Sequence, residues 1–205
     1  MIIAVDGPAA SGKGTLARRL AAHYDLDFLD TGLLYRAVAW HLLADNKPAD
    51  DETSAVEIAS RLDLQSANET DLRTAGIGDA ASIVAANPNV RTAILEYQRR
   101  FATNGSGAVL DGRDIGTVVC PDADHKLFVT ASPEVRARRR ARELRAAGSD
   151  ATDDEVLADL LRRDERDRTR AVAPLRPADD AHLLDTTNLD IEAAFRAAVA
   201  IVNGS

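Results

Sequence analysis

The chain has 205 residues, of which 45% are hydrophobic and only 4% are aromatic, so small and branched aliphatic side chains must fill its core. The formal net charge of −8 argues against a general nucleic-acid or membrane-surface binder, and the single cysteine, Cys120, excludes an intramolecular disulfide framework and a zinc cluster of the CxxC type. No apolar run reaches the length of a membrane span, and no signal peptide precedes the first predicted strand. We expect a soluble, cytoplasmic monomer with no membrane and no nucleic-acid partner.

Residues 2–15 carry the most informative motif. Residues 2–5 predict a buried strand, residues 7–12 a glycine-rich loop, and residues from Lys13 onward a helix. The spacing G-x-x-x-x-G-K is that of a Walker A loop, in which backbone N–H groups and a helix N-terminus surround phosphate oxygens and the lysine adds a positive charge. The residues expected to bind the phosphates of a nucleotide are Gly7, Pro8, Ala9, Ala10, Ser11, Gly12, Lys13, Gly14 and Thr15.

The loop departs from the common pattern directly after its lysine. Gly14 stands where serine or threonine usually provides a hydroxyl for Mg²⁺, and the hydroxyl comes one place later, at Thr15. We therefore expect no direct protein ligand to Mg²⁺. The metal would be held through the nucleotide and through water, with Thr15 and Asp111 as the candidate contacts.

A second junction between a strand and a helix follows at residues 27–44. Residues 27–30 predict a short strand, Thr31 and the next glycine end it, and residues 33–44 predict a helix. Arg36 lies in the first two turns, where it can reach an anion at the helix N-terminus, although it also fits a solvated position on an amphipathic helix. Residues 45–80 form a polar excursion with a helix near 53–62, and helices near 79–86 and 88–103 come next.

Charged residues follow the third predicted strand, residues 108–110. Asp111, Arg113 and Asp114 are expected just past its carboxyl end, which is where ligands bind in open α/β sheets. Asp111 fits either a magnesium-orienting carboxylate or a turn cap. A turn needs neither charge of the pair Arg113 and Asp114, so we interpret both as functional.

Arginines are concentrated in the last third of the chain, with eleven of them between residues 136 and 170. After a strand at 126–130, a helix is expected from Ser132 to Gly148, and Arg136, Arg139 and Arg140 would share one of its faces. A second helix is expected at 154–170. Most of its arginines fit a solvated surface, but Arg163, Asp167 and Arg170 are spaced to project from one face, which suits binding of a compact anion. A strand at 182–186 and a helix at 190–203 complete the chain.

Because strands alternate with helices, the fold class expected is α/β, with a five-stranded parallel sheet covered by helices on both faces. Four segments, GPAASGKGT, LDTGLLYR, DGRDIGTVV and RDERDRTRAVAPL, resemble those of bacterial cytidylate kinases, a family of nucleoside-monophosphate kinases with a P-loop core. The last two segments are the more specific, and the resemblance spans nearly the whole chain.

The resemblance implies an enzyme that transfers the γ-phosphoryl group of ATP to CMP or dCMP with Mg²⁺. It implies a single domain over residues 1–205, with an acceptor-binding insert at about 45–85 and a mobile lid at about 145–172. By the same resemblance Lys13, Arg113, Arg163 and Arg170 take part in catalysis. The acceptor is expected to bind Thr31, Arg36, Ser82, Arg91, Arg113, Asp114, Arg163, Asp167 and Arg170, of which Arg36 and Arg113 hold the phosphate and Ser82, Arg91 and Asp114 read the cytosine edge.

The segment between Asp63 and Ser82 is shorter than the β-rich insert typical of the family, which predicts a reduced cover over the base and leaves discrimination among CMP, dCMP and UMP open. Three other functions stay open on the sequence. The chain could phosphorylate a different nucleotide or a metabolite such as shikimate, could act as a slow nucleotide-hydrolysing switch, or could bind nucleic acid through residues 136–170. The absence of an N-K-x-D motif argues against a guanine-specific switch.

Overall fold

A computed structural model of the chain describes residues 1–62, 72 and 74–204. Within these residues five parallel strands form one sheet in the order β2-β3-β1-β4-β5. The strands are β1 (Ile2–Asp6), β2 (Asp27–Asp30), β3 (Ala108–Gly112), β4 (His125–Thr130) and β5 (His182–Asp185). The expected α/β class and parallel sheet are confirmed, and the order places the β1 end beside the β3 end, with Val5 opposite Asp111.

Helices connect the strands and cover both faces of the sheet. They are α1 (Lys13–Tyr24), α2 (Thr31–Ala44), α3 (Glu52–Ser60), α4 (Ala75–Val84), α5 (Pro88–Thr103), α6 (Pro133–Ala146), α7 (Asp153–Thr169) and α8 (Ile191–Val202), with a π-helical turn at Ile115–Val119. Most bounds agree with the sequence prediction within two residues. The shortened insert falls largely on residues 63–71 and 73, which lie outside the described residues.

Three of the differences from the predicted bounds concern elements that line the site. Helix α4 begins at Ala75, four residues before the expected start, because packing of this helix on α2 outweighs the low helix propensity of Gly76 and Gly78. Helix α2 begins at Thr31 rather than Leu33. Strand β3 continues through Gly112, so Asp111 lies within the strand and not after it, paired in register with β1 and β2.

The core is built almost wholly from aliphatic side chains, as the low aromatic content requires. One face of the sheet packs on α1 and α8, and the other packs on α5 and the π-helical turn. A separate apolar cluster joins α2, α3, α4 and α5, and a fourth joins α6 and α7 to Ala9 of the phosphate loop. Cys120 is buried in the second of these faces, as expected for a small hydrophobic side chain.

Side-chain caps fix where several helices begin. Ser132 accepts the backbone N–H of Val135, Asp190 accepts that of Ala193, and Thr152 and Glu155 form a reciprocal capping box at the start of α7. None of the helices in the described part of the chain is long and apolar enough to cross a membrane.

Candidate active site

The phosphate loop, residues 7–12, leaves the end of β1 and enters α1 with a backbone that only glycine permits at two positions. Gly7 has φ 151°, and a Cβ there would lie 2.0 Å from the carbonyl oxygen of Val129. Gly12 has φ 89°. Both conformations lie in the region that residues with a Cβ rarely adopt, so the two glycines of the motif are required by the path of the chain.

Lys13 opens α1 and is buried at the floor of the loop. Its Nζ lies 3.4 Å from the carbonyl oxygen of Pro8 and 3.6 Å from Oδ1 of Asp111. Burial, reinforced by the nearby Arg113 guanidinium, lowers the pKa of Lys13 to about 8 despite the opposing effect of Asp111. A buried ammonium at this position can take phosphate oxygens as further partners.

Asp111 approaches the loop where Gly14 has no side chain. A Cβ on Gly14 would lie 2.9 Å from Oδ2 of Asp111, so the carboxylate occupies the space next to this glycine. Its Oδ1 is buried without a hydrogen bond, and burial raises the pKa of Asp111 to about 6. A buried carboxylate oxygen that lacks a donor suits a Mg²⁺ ion or its water shell, which is consistent with the role expected for Asp111.

Two arginines of α6 hold the loop from outside. Arg136 donates from Nη1 to the carbonyl oxygen of Ala9 at 3.1 Å, and Arg139 donates from Nη1 to that of Ser11 at 3.3 Å. Thr186, just after β5, also donates its hydroxyl to the Ser11 carbonyl, at 2.9 Å. Arg136 and Arg139 both reach the loop, so the common face predicted for the α6 arginines is confirmed for these two. Both side chains donate to backbone carbonyls of the loop, which is a structural role.

The loop forms one wall of a cavity of about 470 Å³, and arginines from four separate elements form much of the rest. Arg36 comes from α2, Arg113 from the end of β3, Arg140 from α6 and Arg163 from α7. The structure therefore brings the predicted residues Lys13, Arg36, Arg113 and Arg163 to one site. Burial and the neighbouring Arg113 lower the pKa of Arg163 to about 10, which indicates a cluster of cations that an anion would stabilise.

A smaller cavity of about 40 Å³ adjoins the first and shares Gly32, Gly112, Arg113 and Arg163 with it. The predicted acceptor residues Thr31, Ser82, Arg91, Asp114, Asp167 and Arg170 all line this second cavity. It lies among α2, α4, α5 and α7, next to the end of β3. The fold thus brings to one cavity six predicted residues that are up to 139 positions apart in the chain.

Ion pairs line the second cavity. Asp114 pairs with Arg91 and lies 3.5 Å from Nη2 of Arg170. Asp167 accepts from Nε of Arg113 at 3.0 Å and from the hydroxyl of Ser82 at 3.2 Å. Each charged group therefore has a partner that a polar ligand could replace.

Two observations modify the predicted set. Thr31 lines the cavity, but its hydroxyl donates to the backbone carbonyl of Asp111 at 2.8 Å, which indicates a structural contact between α2 and β3. Tyr35, which the sequence analysis did not select, also lines the cavity, and its hydroxyl is buried. Burial raises the pKa of Tyr35 to about 12. Its position within an apolar helix gave no signal that distinguished it from a core residue.

A Walker A loop at the end of a central parallel strand, with an arginine-lined cavity beside it, defines a P-loop kinase. A solved structure of an uncharacterised protein from Eubacterium ventriosum is 14% identical, covers 100% of this chain and 99% of its own, and has a TM-score of 0.57, which supports the fold alone. A family model described as cytidylate kinase matches residues 3–203. The chain belongs to the cytidylate kinase family.

Proteins named cytidylate kinase from several bacteria are similar to this chain over nearly its whole length. That of Xanthobacter autotrophicus is 62% identical over 98% of this chain and 97% of its own, and that of Methylocella silvestris is 59% identical over 100% and 95%. That of Rhodopseudomonas palustris strain BisA53 is 57% identical over 98% and 96%.

Proposed function

We propose that this protein transfers the γ-phosphoryl group of ATP to CMP or dCMP, which yields ADP and CDP or dCDP, in pyrimidine nucleotide metabolism. The observation that carries the proposal is the pair of adjoining cavities. One lies against the phosphate loop, the other ends at Ser82, Arg91 and Asp114, and Arg113 and Arg163 line both. Membership of the cytidylate kinase family supports the choice of acceptor.

The donor triphosphate binds the loop through backbone N–H groups and Lys13. Phosphoryl transfer demands alignment and charge neutralisation more than a covalent protein intermediate, and the site offers cations on both sides of the path. Lys13 contacts the donor phosphates, while Arg113 and Arg163 lie where the two cavities meet, next to the group in transit. These cations stabilise the negative charge that spreads over the moving oxygens.

The acceptor phosphate takes the place of protein carboxylates as the partner of the arginines. Arg113, now paired with Asp167, turns to the phosphate together with Arg36, and Asp167 is released toward the ribose with Arg170. At the far end Asp114 accepts a hydrogen bond from the cytosine amino group, while Ser82 and Arg91 donate to the ring acceptors. Uracil presents a carbonyl where cytosine has the amino group, so it would leave Asp114 without its donor.

Mg²⁺ would be held through the ATP phosphates and water, with Asp111 and the hydroxyl of Thr15 as the nearest protein contacts. Oδ1 of Asp111, which is buried and has an ion pair with Lys13 but no hydrogen bond, supports this assignment. In the described part of the chain no group of three or more acidic, histidine or cysteine residues could bind a metal alone. When bound, the ion neutralises phosphate charge and fixes the oxygens in line for transfer.

We further propose a cytoplasmic monomer with a single domain, in which residues of about 45–85 bind the acceptor and residues of about 145–172 act as a lid. Lid closure over both substrates would exclude water, which would otherwise compete with the acceptor for the phosphoryl group. Helix α7 supplies Arg163 and Asp167 to the site, which supports a role for this segment in closure.

The test is ADP formation from ATP and Mg²⁺ with CMP, dCMP, UMP, AMP and shikimate measured in parallel. We expect rapid turnover with CMP and dCMP and at most a few per cent of that rate with the others. Turnover with another acceptor alone would contradict the proposal.

The base contact is tested by Asp114→Asn, with Asp122→Asn in an exposed turn as the matched control. Replacing the charged acceptor should raise the KM for CMP by about tenfold or more, because a charge-assisted hydrogen bond is lost, while the KM for ATP changes little. An unchanged preference for CMP over UMP in Asp114→Asn would remove the proposed role of Asp114.

A further inference from the structure

Ala10, within the phosphate loop, has a left-handed backbone conformation. Ala10 has φ 59°, a left-handed value that a residue with a Cβ adopts only where its surroundings impose it. The carbonyls of Ala9 and Ser11, on either side of Ala10, are the ones that accept hydrogen bonds from Arg136 and Arg139. The arginines of α6 therefore fix the strained part of the loop.

Fixing a carbonyl also fixes the next amide. A trans peptide is planar, and its C=O and N–H bonds point in opposite directions. A hydrogen bond from Arg136 to the Ala9 carbonyl consequently sets the direction of the Ala10 N–H. Both Ala9 and Ala10 line the larger cavity, so this amide belongs to the surface that receives the donor phosphates.

The same guanidinium holds a second element. Nη1 and Nη2 of Arg136 form a bidentate pair with Asp164 of α7, at 3.2 Å and 2.6 Å, and Nε donates to the carbonyl oxygen of Ala131 at 3.0 Å. The side chains of Arg136 and Asp164 are only 2% and 1% exposed. Four of the five N–H groups of this arginine thus have partners, which keeps it in one orientation.

Helix α7 extends from this pair to the acceptor cavity. Arg163 precedes Asp164 in the chain, and Asp167 lies about one turn further on and contacts Ser82 and Arg113. Apolar packing reinforces the connection, because Ala9 of the loop is buried in the cluster that joins α6 and α7. The loop and the acceptor-contacting face of α7 are therefore connected through one buried ion pair.

We propose that Arg136 and Asp164 are positioning residues that hold the Ala9–Ala10 peptide ready for the donor phosphates and couple it to α7, so that acceptor binding strengthens donor binding. Linkage requires the effect to be reciprocal, with donor and acceptor changing each other's affinity by the same factor. The inference rests on the proposed function for the identity of the two ligands, ATP and CMP.

The informative variant replaces both partners, Arg136→Met with Asp164→Leu. Removing one partner would leave a buried charge unpaired and could unfold the protein, whereas an apolar pair of similar volume is usually tolerated. The matched control is Arg145→Met with Asp153→Leu, which removes an exposed ion pair between the ends of α6 and α7. Arg139→Met is a second comparison, because its hydrogen bonds lead to Ser11 and Thr186 and not through Asp164.

The measurement is the Kd of a non-hydrolysable ATP analogue, by calorimetry, without CMP and with saturating CMP. In the wild type we expect CMP to tighten analogue binding by about fivefold or more. In the double variant the analogue alone should bind roughly tenfold more weakly. Saturating CMP should leave its Kd unchanged, so that the ratio of the Kd without CMP to the Kd with CMP is about one. Arg139→Met should weaken the analogue but keep the coupling, and the Arg145 and Asp153 control should match the wild type.

Each contrary result has a defined meaning. A double variant with a lower Tm but with the analogue Kd and the coupling within twofold of the wild type would make the pair merely structural and overturn the inference. A wild type without coupling would overturn it as well. If the double variant does not fold, the same measurements are made on Asp164→Asn, whose amide oxygen still accepts one hydrogen bond from Arg136 while the charge of the pair is removed. Absence of CMP binding and turnover in the wild type would instead contradict the proposed function. The positioning of the loop would then be tested only by comparing the analogue Kd of the wild type with that of the double variant.

Discussion

Gly14 stands where many phosphate-binding loops carry a hydroxyl, and its missing side chain determines how close Asp111 can come to Lys13. An added Cβ would lie 2.9 Å from the Asp111 carboxylate, a separation at which one of the two groups must move. Asp111 is buried, so it has little free space to move into. The observed position of the Asp111 carboxylate therefore depends on glycine at position 14.

Gly14→Ala is expected to lower kcat by about tenfold or more, because displacement of Asp111 disturbs both Lys13 and the metal contacts. The free energy of unfolding should change by less than about 1 kcal/mol, since alanine favours the helix and offsets the close contact. Gly76→Ala is the control, because a Cβ there meets nothing within 4 Å. It should be neutral or stabilising and leave kcat unchanged. Equal activities of the two variants in a coupled ADP assay would contradict this account.

Residues whose roles depend on local spacing could be predicted from the sequence, and residues whose roles depend on distant contacts could not. Lys13 follows from the spacing of Gly7 and Gly12, which are also the positions with left-handed φ values. Arg136 belongs to an arginine-rich helix and looks solvated, yet it is 2% exposed because Asp164, 28 positions later, pairs with it. No local pattern signals such a pairing.

At the scale of elements, α7 shows how strongly local signals fix a helix and how little they reveal about its faces. Its start, expected at residue 154, lies at Asp153, where Thr152 and Glu155 form a reciprocal capping box. Its arginines were expected to be mostly solvated, and Arg162 and Arg168 are indeed exposed. Asp164 and Asp167, however, are buried, so the helix presents acidic and not only basic side chains to the protein interior.

Removal of the cap is expected to weaken this helix without touching the cavities. Thr152→Ala should lower the free energy of unfolding by about 1 kcal/mol, because the N–H of Glu155 loses its acceptor. Glu155→Ala removes the reciprocal bond to the Thr152 N–H, and the double variant should cost less than the sum of the two. Glu165→Ala, exposed on the same helix, is the control and should be nearly neutral. Urea denaturation measures all four variants, and strict additivity would show that the box does not act as a unit.

At the scale of the whole molecule, the order of the strands assembles the site. Alternation of strands and helices predicted a parallel sheet, but it does not specify that β3 lies beside β1, since that pairing joins residues more than a hundred positions apart. The pairing brings the phosphate loop next to the segment with Arg113 and Asp114. Asp6, the last residue of β1, fastens the two together by accepting the backbone N–H groups of Ile115 and Gly116, each at 2.8 Å.

Asp6 is expected to make the stability of the whole fold depend on pH. Burial, with smaller contributions from Asp114 and Asp111, raises the pKa of Asp6 from 3.8 to about 7, although its two hydrogen bonds oppose the change. Between these values the folded state holds a proton that the unfolded state has lost, so the contribution is complete below about pH 3.8 and is lost as the pH rises through about 7. The difference in free energy of unfolding between the wild type and Asp6→Asn, from urea denaturation at pH 4 to 8, should therefore fall with rising pH by on the order of 1 kcal/mol per unit within that window.

Asp124→Asn, which removes an exposed carboxylate that accepts the N–H of Ile2, is the control and should not reproduce the trend. A difference that is constant across the range, or that rises with pH, would mean that Asp6 is charged throughout in the folded protein.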